Sequence, residues 1–219
     1  MILQRKYGNY MDSKIFMKDK DKALFRILLL CLGNLILGLG NAVCLQTGLG
    51  ADALNVLYQG TAAFLDLPTG TASLVVSGVM VAATCFLDIR QLGIGTILAP
   101  FACSFGIDAG MAVIPACVWF PANYGIMLLG LCIIAFGLAL GIYADCGKSS
   151  YDALIYGVIY RTKWKYHRIR WGLDLLFLVT GVLLGGRMTP ATVIAVVVTG
   201  KIVTGFLHLL NKSNMLKNE

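Results

Sequence analysis

Charge is what this sequence has least of. Asp, Glu, Lys and Arg make up 13% of its 219 residues, against about 25% in an ordinary soluble domain. So few charges could not cover a water-soluble globule of this size. With 58% hydrophobic residues and a mean hydropathy of +0.79, the chain falls in the integral membrane class. Histidine is nearly missing too. His167 and His208 are the only two and lack metal-ligand spacing, so no metal site is expected. Seven cysteines contain no Cys-x-x-Cys pair. They read as small apolar packing residues, not as a disulfide or zinc framework. No phosphate-binding loop, zinc-protease helix, nucleophile elbow or dinucleotide fingerprint occurs. The chain is therefore expected to be no enzyme and to need no cofactor. Its first 22 residues are polar and charged, unlike a cleavable signal.

What is present is a series of long apolar runs. A helix needs about 20 apolar residues to cross the hydrocarbon core. Six candidates follow: Leu24–Leu45, Pro68–Leu87, Gly93–Phe120, Tyr124–Ala144, Trp171–Gly186 and Thr189–Leu210. The fifth is the shortest, and five crossings result if it does not insert. Asp52–Leu65 and Asp152–Tyr160 are too short to cross. They read as interfacial or re-entrant helices. The expected fold is thus an all-α polytopic membrane protein with six transmembrane helices and two short helices.

The basic residues set an orientation. Lys and Arg cluster in the N-terminal tail, in residues 145–170 and after residue 210, and are absent from 46–67 and 112–123. The positive-inside rule then puts both termini in the cytoplasm, with Arg187 the lone exception. This use of the +7 net charge makes a nucleic-acid patch unnecessary. The expected partner is the lipid bilayer.

The chain also repeats itself. "GLGADAL" at 48–54 is echoed by "KSSYDAL" at 148–154. Gly38 aligns with Gly137 and Gly48 with Gly147 at an offset of 99, and Asp52-Ala53-Leu54 with Asp152-Ala153-Leu154 at 100. Further on, Arg90 aligns with Arg187, and Thr96 with Thr192 after a one-residue slip. This ordered series predicts a duplication. It divides the chain into a tail (1–22), a first membrane repeat (23–120), a second (121–210) and a C-terminal tail (211–219). Three crossings per half force opposite insertion, an inverted 3+3 repeat of the kind found in secondary transporters.

The stretches "GLGADAL", "GTASLVV", "GIGTILAPFACSFGID" and "KSSYDALI" resemble the YczE/YyaS/YitT family of bacterial integral membrane proteins, most closely its YczE-like branch. The resemblance covers roughly residues 24–210. It departs at Ser150, where the family pattern has a Pro. It implies a location in the bacterial cytoplasmic membrane and the same architecture, and leaves the substrate open.

Asp52 and Asp152 admit two readings that can coexist. Each opens a short helix, where a carboxylate caps free N–H groups and meets the positive end of the helix dipole. Ser149 and Asp152 have the spacing of a cap pair. Alternatively the same turns line a cavity and bind a cation or polar solute, since broken backbone at membrane depth is tolerated beside a cavity. Asp52, Asn55 and Gln59 share one helix face, and Asp152, Tyr156 and Tyr160 another. Asp108 and Lys201 stand inside apolar spans, at a cost of about 2.5–3.5 kcal/mol each on insertion scales. They are expected to face the interior and to pair. Asp174 lies four residues after Arg170, a local contact. The candidate substrate-binding set is therefore Asp52, Asn55, Gln59, Asp108, Asp152, Tyr156 and Lys201. The functional expectation is a transporter or permease for a small solute or ion, working by alternating access. The alternatives are a membrane-embedded solute-binding or accessory subunit, or a non-transporting structural or signalling protein. A homodimer is compatible with the chain length.

Overall fold

The computed structural model describes residues 20–49, 52–115 and 120–187, with helical backbone at 202–203, 205–206 and 208–209. Leucine-rich sequence without proline carries α1 over Lys20–Gln46. It ends at Thr47-Gly48, where the Thr47 hydroxyl donates to Cys44 O (2.6 Å) and Gly48 turns the chain at φ +69°, a conformation that costs glycine little. α2 covers Ala53–Leu65 and stops at Asp66 (φ 53°), whose N–H returns to Ala62 O. α3 spans Thr69–Asp88 after Pro68. A single 3-10 turn, Ile89–Gln91, leads into α4, Ile94–Val113. α5 runs over Phe120–Ala144. α6, Ser150–Thr162, ends like α2 on a left-handed residue, Lys163 at φ 59°. α7 covers Tyr166–Leu183.

Four of these helices are long and apolar enough to cross a membrane: Ala23–Gln46, Thr69–Gln91, Ile94–Val113 and Asn123–Ala144. They overlap the first four expected crossings, except that the third ends at Val113 and Phe120, expected at its end, opens α5 instead. The two short segments are 13-residue helices, about 20 Å each at 1.5 Å per residue and too short to cross a hydrocarbon core of about 30 Å. The fifth expected crossing differs. α7 begins at Tyr166 rather than Trp171, because Ile169 is buried and extends the packed face backwards. That start adds Arg168 and Arg170 to Asp174, and α7 is not among the four apolar helices. Most of the sixth, with Lys201, lies outside the described residues.

Solvation is reversed relative to a soluble protein. Phe86, Val113 and Leu183 are more than 80% exposed, while Asn41, Asn55, Thr84, Thr96 and Asn123 are buried. In water this would expose apolar surface and desolvate polar groups. In a bilayer it puts each group in its preferred surroundings.

α1 sits at the centre, packed against α5 and α4. Lipid tails are as apolar as leucine, so close packing must hold such helices together, and small residues permit it. A Cβ on Gly33 would come 2.9 Å from Gly137 O; one on Gly40 would come 2.7 Å from Ile134 N and 3.0 Å from Gly130 O. On the other face, Gly38 meets the backbone of Cys103 and Gly106. The short helices pack across the two halves. α2 lies on α7, with Gly60 against the Gly181 backbone, and α6 lies on α3, with Gly157 against Leu87 and Thr84. Leu57, Tyr58, Val76, Met80, Leu154 and Phe177 from these four helices form one core.

The crossing makes an exacting demand on size. Gly40→Ala is expected to lower stability by about 1–3 kcal/mol, the usual cost of overpacking. Gly78→Ala, at a helix position with nothing within 4 Å, should be neutral or raise stability by up to about 1 kcal/mol. Denaturation of the two purified variants beside wild type checks both signs.

Candidate functional site at the two short-helix N-termini

Asp108 is a carboxylate within the apolar helix Ile94–Val113, and the fold gives it a use. Its Oδ1 accepts from Gly70 N at 2.6 Å. Its Oδ2 accepts from Thr71 N at 3.1 Å and from the Thr71 hydroxyl at 3.2 Å. α3 starts at Pro68-Thr69 and has no side-chain cap of its own. Asp108, one helix away on α4, supplies that cap and sits at the positive end of the α3 dipole. Both oxygens are engaged. Its expected partner, Lys201, lies outside the described residues.

Asp52 and Asn55 build the first part of the site. Asp52 is the N-cap of α2, and its Oδ1 accepts from Asn55 N (2.9 Å) and Asn55 Nδ2 (2.8 Å). The same Nδ2 donates to Asn41 Oδ1 of α1 at 3.0 Å. Asn41 is 5% and Asn55 2% exposed. Cys103 of α4 adjoins Asn41, and the Tyr58 hydroxyl adjoins Ser77. Burial pushes the Asp52 carboxyl above its ordinary value. The hydrogen bonds from Asn55 pull it back, Asp174 raises it and Arg170 lowers it. Burial wins, because an ionised carboxylate loses more solvation than these partners return.

The second part lies at the start of α6. Ser149 is the N-cap; its Oγ accepts from Asp152 N and donates to Asp152 Oδ2, each at 3.1 Å. The Tyr166 hydroxyl donates to Asp152 Oδ1 (3.0 Å) and accepts from Arg170 Nη1 (3.1 Å). Tyr151 donates to Asp174 Oδ1 at 2.5 Å, and Asp174 stands 3.9 Å from Arg170. Lys148 Nζ lies 3.8 Å over the Tyr156 ring and donates to Gln91 Oε1, and Gln91 bonds Asp88 at 2.7 Å. Burial lowers the Lys148 ammonium, and Asp152 and Asp88 partly restore it.

Arg170 joins the two parts. Its charge acts on Asp52, and Asp152 is among the charges acting on it. The structure thus holds Asp52 and Asn55 with Asn41 at the start of α2, and Asp152 and Tyr156 in a second cluster on α6, with α7 packed against both short helices. It leaves Asp108 at the α3 cap. Gln59 accepts from Arg187 N at 3.3 Å and holds the chain after α7. The matching Asp-Ala-Leu triplets are not equivalent: Asp52 is an N-cap, whereas Asp152 is the third residue of its helix. Asn41, Tyr151 and Tyr166 are additions. Asn41, a polar residue deep in an apolar run, carried a readable signal. The tyrosines did not, since their partners come from other helices.

Two outcomes follow. Asp108→Ala leaves two α3 N–H groups without acceptors and should cost about 1–3 kcal/mol. Thr71→Val, which removes only the hydroxyl donor, should cost less in the same denaturation series. For Asp52 the raised value fixes the sign. Its contribution to stability is full below the ordinary carboxylate value of 3.8 and is lost as pH rises through the elevated value. The groups acting with it are Arg170 and Asp174 from α7, Cys44 from α1, Cys103 from α4 and Tyr58. The unfolding temperature of wild type should fall across that rise, and that of Asp52→Asn should stay flatter.

Comparison with known proteins gives a family. A family model described as a family of unknown function, DUF6198, matches residues 24–208. An "Uncharacterized protein" of Haemophilus influenzae is 29% identical over 177 residues, 80% of each chain. In Bacillus subtilis, "Uncharacterized membrane protein YczE" is 22% identical over 172 residues, 78% of this chain and 80% of that one. "Uncharacterized protein YyaS" is 22% identical over 190 residues, 85% and 94% of the two chains. No solved structure matches. With the match running through all seven helices and their polar centre, the chain belongs to the DUF6198 family of YczE-like membrane proteins.

Proposed function

We propose that the chain is a small-solute transporter that works by alternating access between two inverted repeats. One observation carries this reading: a constant offset of 97 residues relates the two halves. It takes the N-cap Asp52 to the N-cap Ser149, and the left-handed Asp66 to the left-handed Lys163. It takes left-handed Gly48 to left-handed Asp145. It takes Gly60, which meets Gly181, to Gly157, which meets Thr84, and it takes Thr84 to Gly181. At the central crossing, Gly33 against Gly137 becomes Gly130 against Gly40. Contacts that exchange partners in this way are what a two-fold axis between α1 and α5 produces. The offsets of 99 and 100 read from matching letters lie two or three residues out of this register.

Such an axis supports six crossings with both termini on the cytoplasmic side, α7 and the last helix completing the second half. In this reading α2 and α6 are paired half-helices, one opening toward each side, each with a polar cluster at its N-terminus. This is the plan on which inverted-repeat transporters hold their substrates. Two positive helix ends, Arg170 and the carboxylates of Asp52 and Asp152 supply both signs of charge, and the solute is a small polar one. Movement of one repeat against the other, α2 along α7 and α6 along α3, would expose the polar clusters to each side in turn.

The test is uptake of a metabolite panel by proteoliposomes holding the purified chain. Two bridges are then added in a background with the native cysteines replaced: Gly60→Cys with Gly181→Cys, and Gly157→Cys with Thr84→Cys. Each oxidised bridge should cut uptake at least about tenfold, a barrier change of about 1.4 kcal/mol, and a reductant should restore it. Uptake that ignores both bridges, or no uptake of any panel member, overturns the reading.

A further inference from the structure

Between Asp152 and Asp174 the chain has no acidic residue. It carries Arg161, Lys163, Lys165, Arg168 and Arg170 there. Large aromatics stand among them, with Tyr160 52%, Trp164 63% and Trp171 78% exposed. Most of this charge is unbalanced. Arg170 is turned to the Tyr166 hydroxyl and stands against Asp174. Arg161 directs its donors to Phe86 O and Leu87 O, which are neutral. Lys163 lies 4.8 Å over the Tyr160 ring. Among the described residues no carboxylate is paired with Lys163, Lys165 or Arg168, and all three are exposed. The outer face of α7 then gives these chemistries an order. Arg168, Trp171, Leu175, Val179 and Val182 fall at i, i+3, i+7, i+11 and i+14, one stripe of a helix, and each is exposed. Ile169, Phe177 and Gly181 lie off this stripe and are buried. The stripe passes from a cation through an indole to aliphatic side chains, as a bilayer passes from headgroup through interface to acyl chain. From Trp171 to Val182 it runs about 16 Å at 1.5 Å per residue, the depth of one leaflet of a hydrocarbon core of about 30 Å.

We propose that the connection between α6 and α7 is a binding surface for anionic phospholipid headgroups. Lys163, Lys165 and Arg168 meet the phosphates, and Trp164 and Trp171 sit at the level of the glycerol backbone. A zwitterionic headgroup brings its own cation beside the phosphate and gives these side chains little net attraction. A headgroup with net negative charge balances them. Nucleic acid or an acidic protein would also meet the charge, but neither would cover the aliphatic part of the same stripe. The surface is tied to the rest of the fold through Tyr166, which stands between Lys165 and His167 and donates to Asp152. Bound headgroups thus hold the start of α7, the helix on which α2 packs. This binding is independent of the transport reading.

The experiment is quenching of tryptophan fluorescence in the full chain, reconstituted into phosphatidylcholine vesicles. Trp119→Phe leaves Trp164 and Trp171 as the only indoles. A minor fraction of the lipid carries bromine near the top of its acyl chains, as phosphatidylglycerol in one series and phosphatidylcholine in the other. At equal fraction the phosphatidylglycerol should quench about twofold or more strongly, because it gathers at the basic surface. Salt at about 1 M, which shortens the Debye length to about 3 Å, should bring the two series together. The combined Lys163→Gln, Lys165→Gln and Arg168→Gln variant should do the same at low salt. Arg187→Gln, which removes a cation beyond the other end of α7, should keep the difference. The salt comparison uses no charge variant, so misfolding of the triple variant does not blunt the test. Equal quenching by the two lipids at low salt overturns the proposal. So does an excess that survives either the salt or, in a folded protein, the triple substitution. Absence of quenching by both lipids also overturns it, since the indoles then stand in water and the surface fits a soluble acidic partner.

Discussion

Inside a hydrocarbon layer a helix end has nowhere to hide. Its last N–H and C=O groups lack partners within the helix, and no water is there to take them. This fold meets the constraint by lending groups between helices. Asp108 of α4 accepts the first N–H groups of α3, and Arg161 of α6 donates to Phe86 O and Leu87 O at its other end. Gln46 of α1 donates to Met111 O and Ile114 O at the end of α4. The start of α4 gives Gly95 N to Cys146 O and the Thr96 hydroxyl to Lys148 O. Each loan fixes one helix end against a neighbour. The arrangement of helices is set by this exchange as much as by the glycine crossings.

The same constraint explains what could be read from the sequence. Apolar run length located α1, α3, α4 and α5, because crossing a bilayer is a one-dimensional requirement. Ser149 and Asp152 were legible as a cap pair because capping is local. Asp108 was conspicuous by its cost, yet the groups that repay it are backbone N–H groups of residues 70 and 71, which have no letter of their own. Arg170 was legible only as a neighbour of Asp174. Its link to Asp52 depends on α2 lying across α7, a contact between residues far apart in the chain. The Asp-Ala-Leu echo was real as letters and misleading as geometry. Cap position, not residue identity, decides equivalence here, and Ser149 does in α6 what Asp52 does in α2.

The polar clusters at the starts of α2 and α6 are not explained by helix ends alone. Capping α2 requires Asp52; it does not require Asn41 and Asn55 to be buried beside it, nor Tyr151 and Tyr166 to tie Asp174 and Asp152 around Arg170. The Asn41–Asn55 pair is buried, where each unpaired atom is felt strongly in a low dielectric, while the cluster around Arg170 is partly exposed.

The crosswise packing of the short helices also bears on how the chain is made. α2 finds its main support on α7, and α6 on α3, so neither half closes its own core. As the chain emerges from the ribosome, the first half enters the membrane with the Gly60 face of α2 bare, and it stays bare until α7 has been synthesised. That interval is a window in which membrane chaperones or quality-control proteases meet an unfinished surface. A truncated first half would lack the α7 surface on which α2 packs.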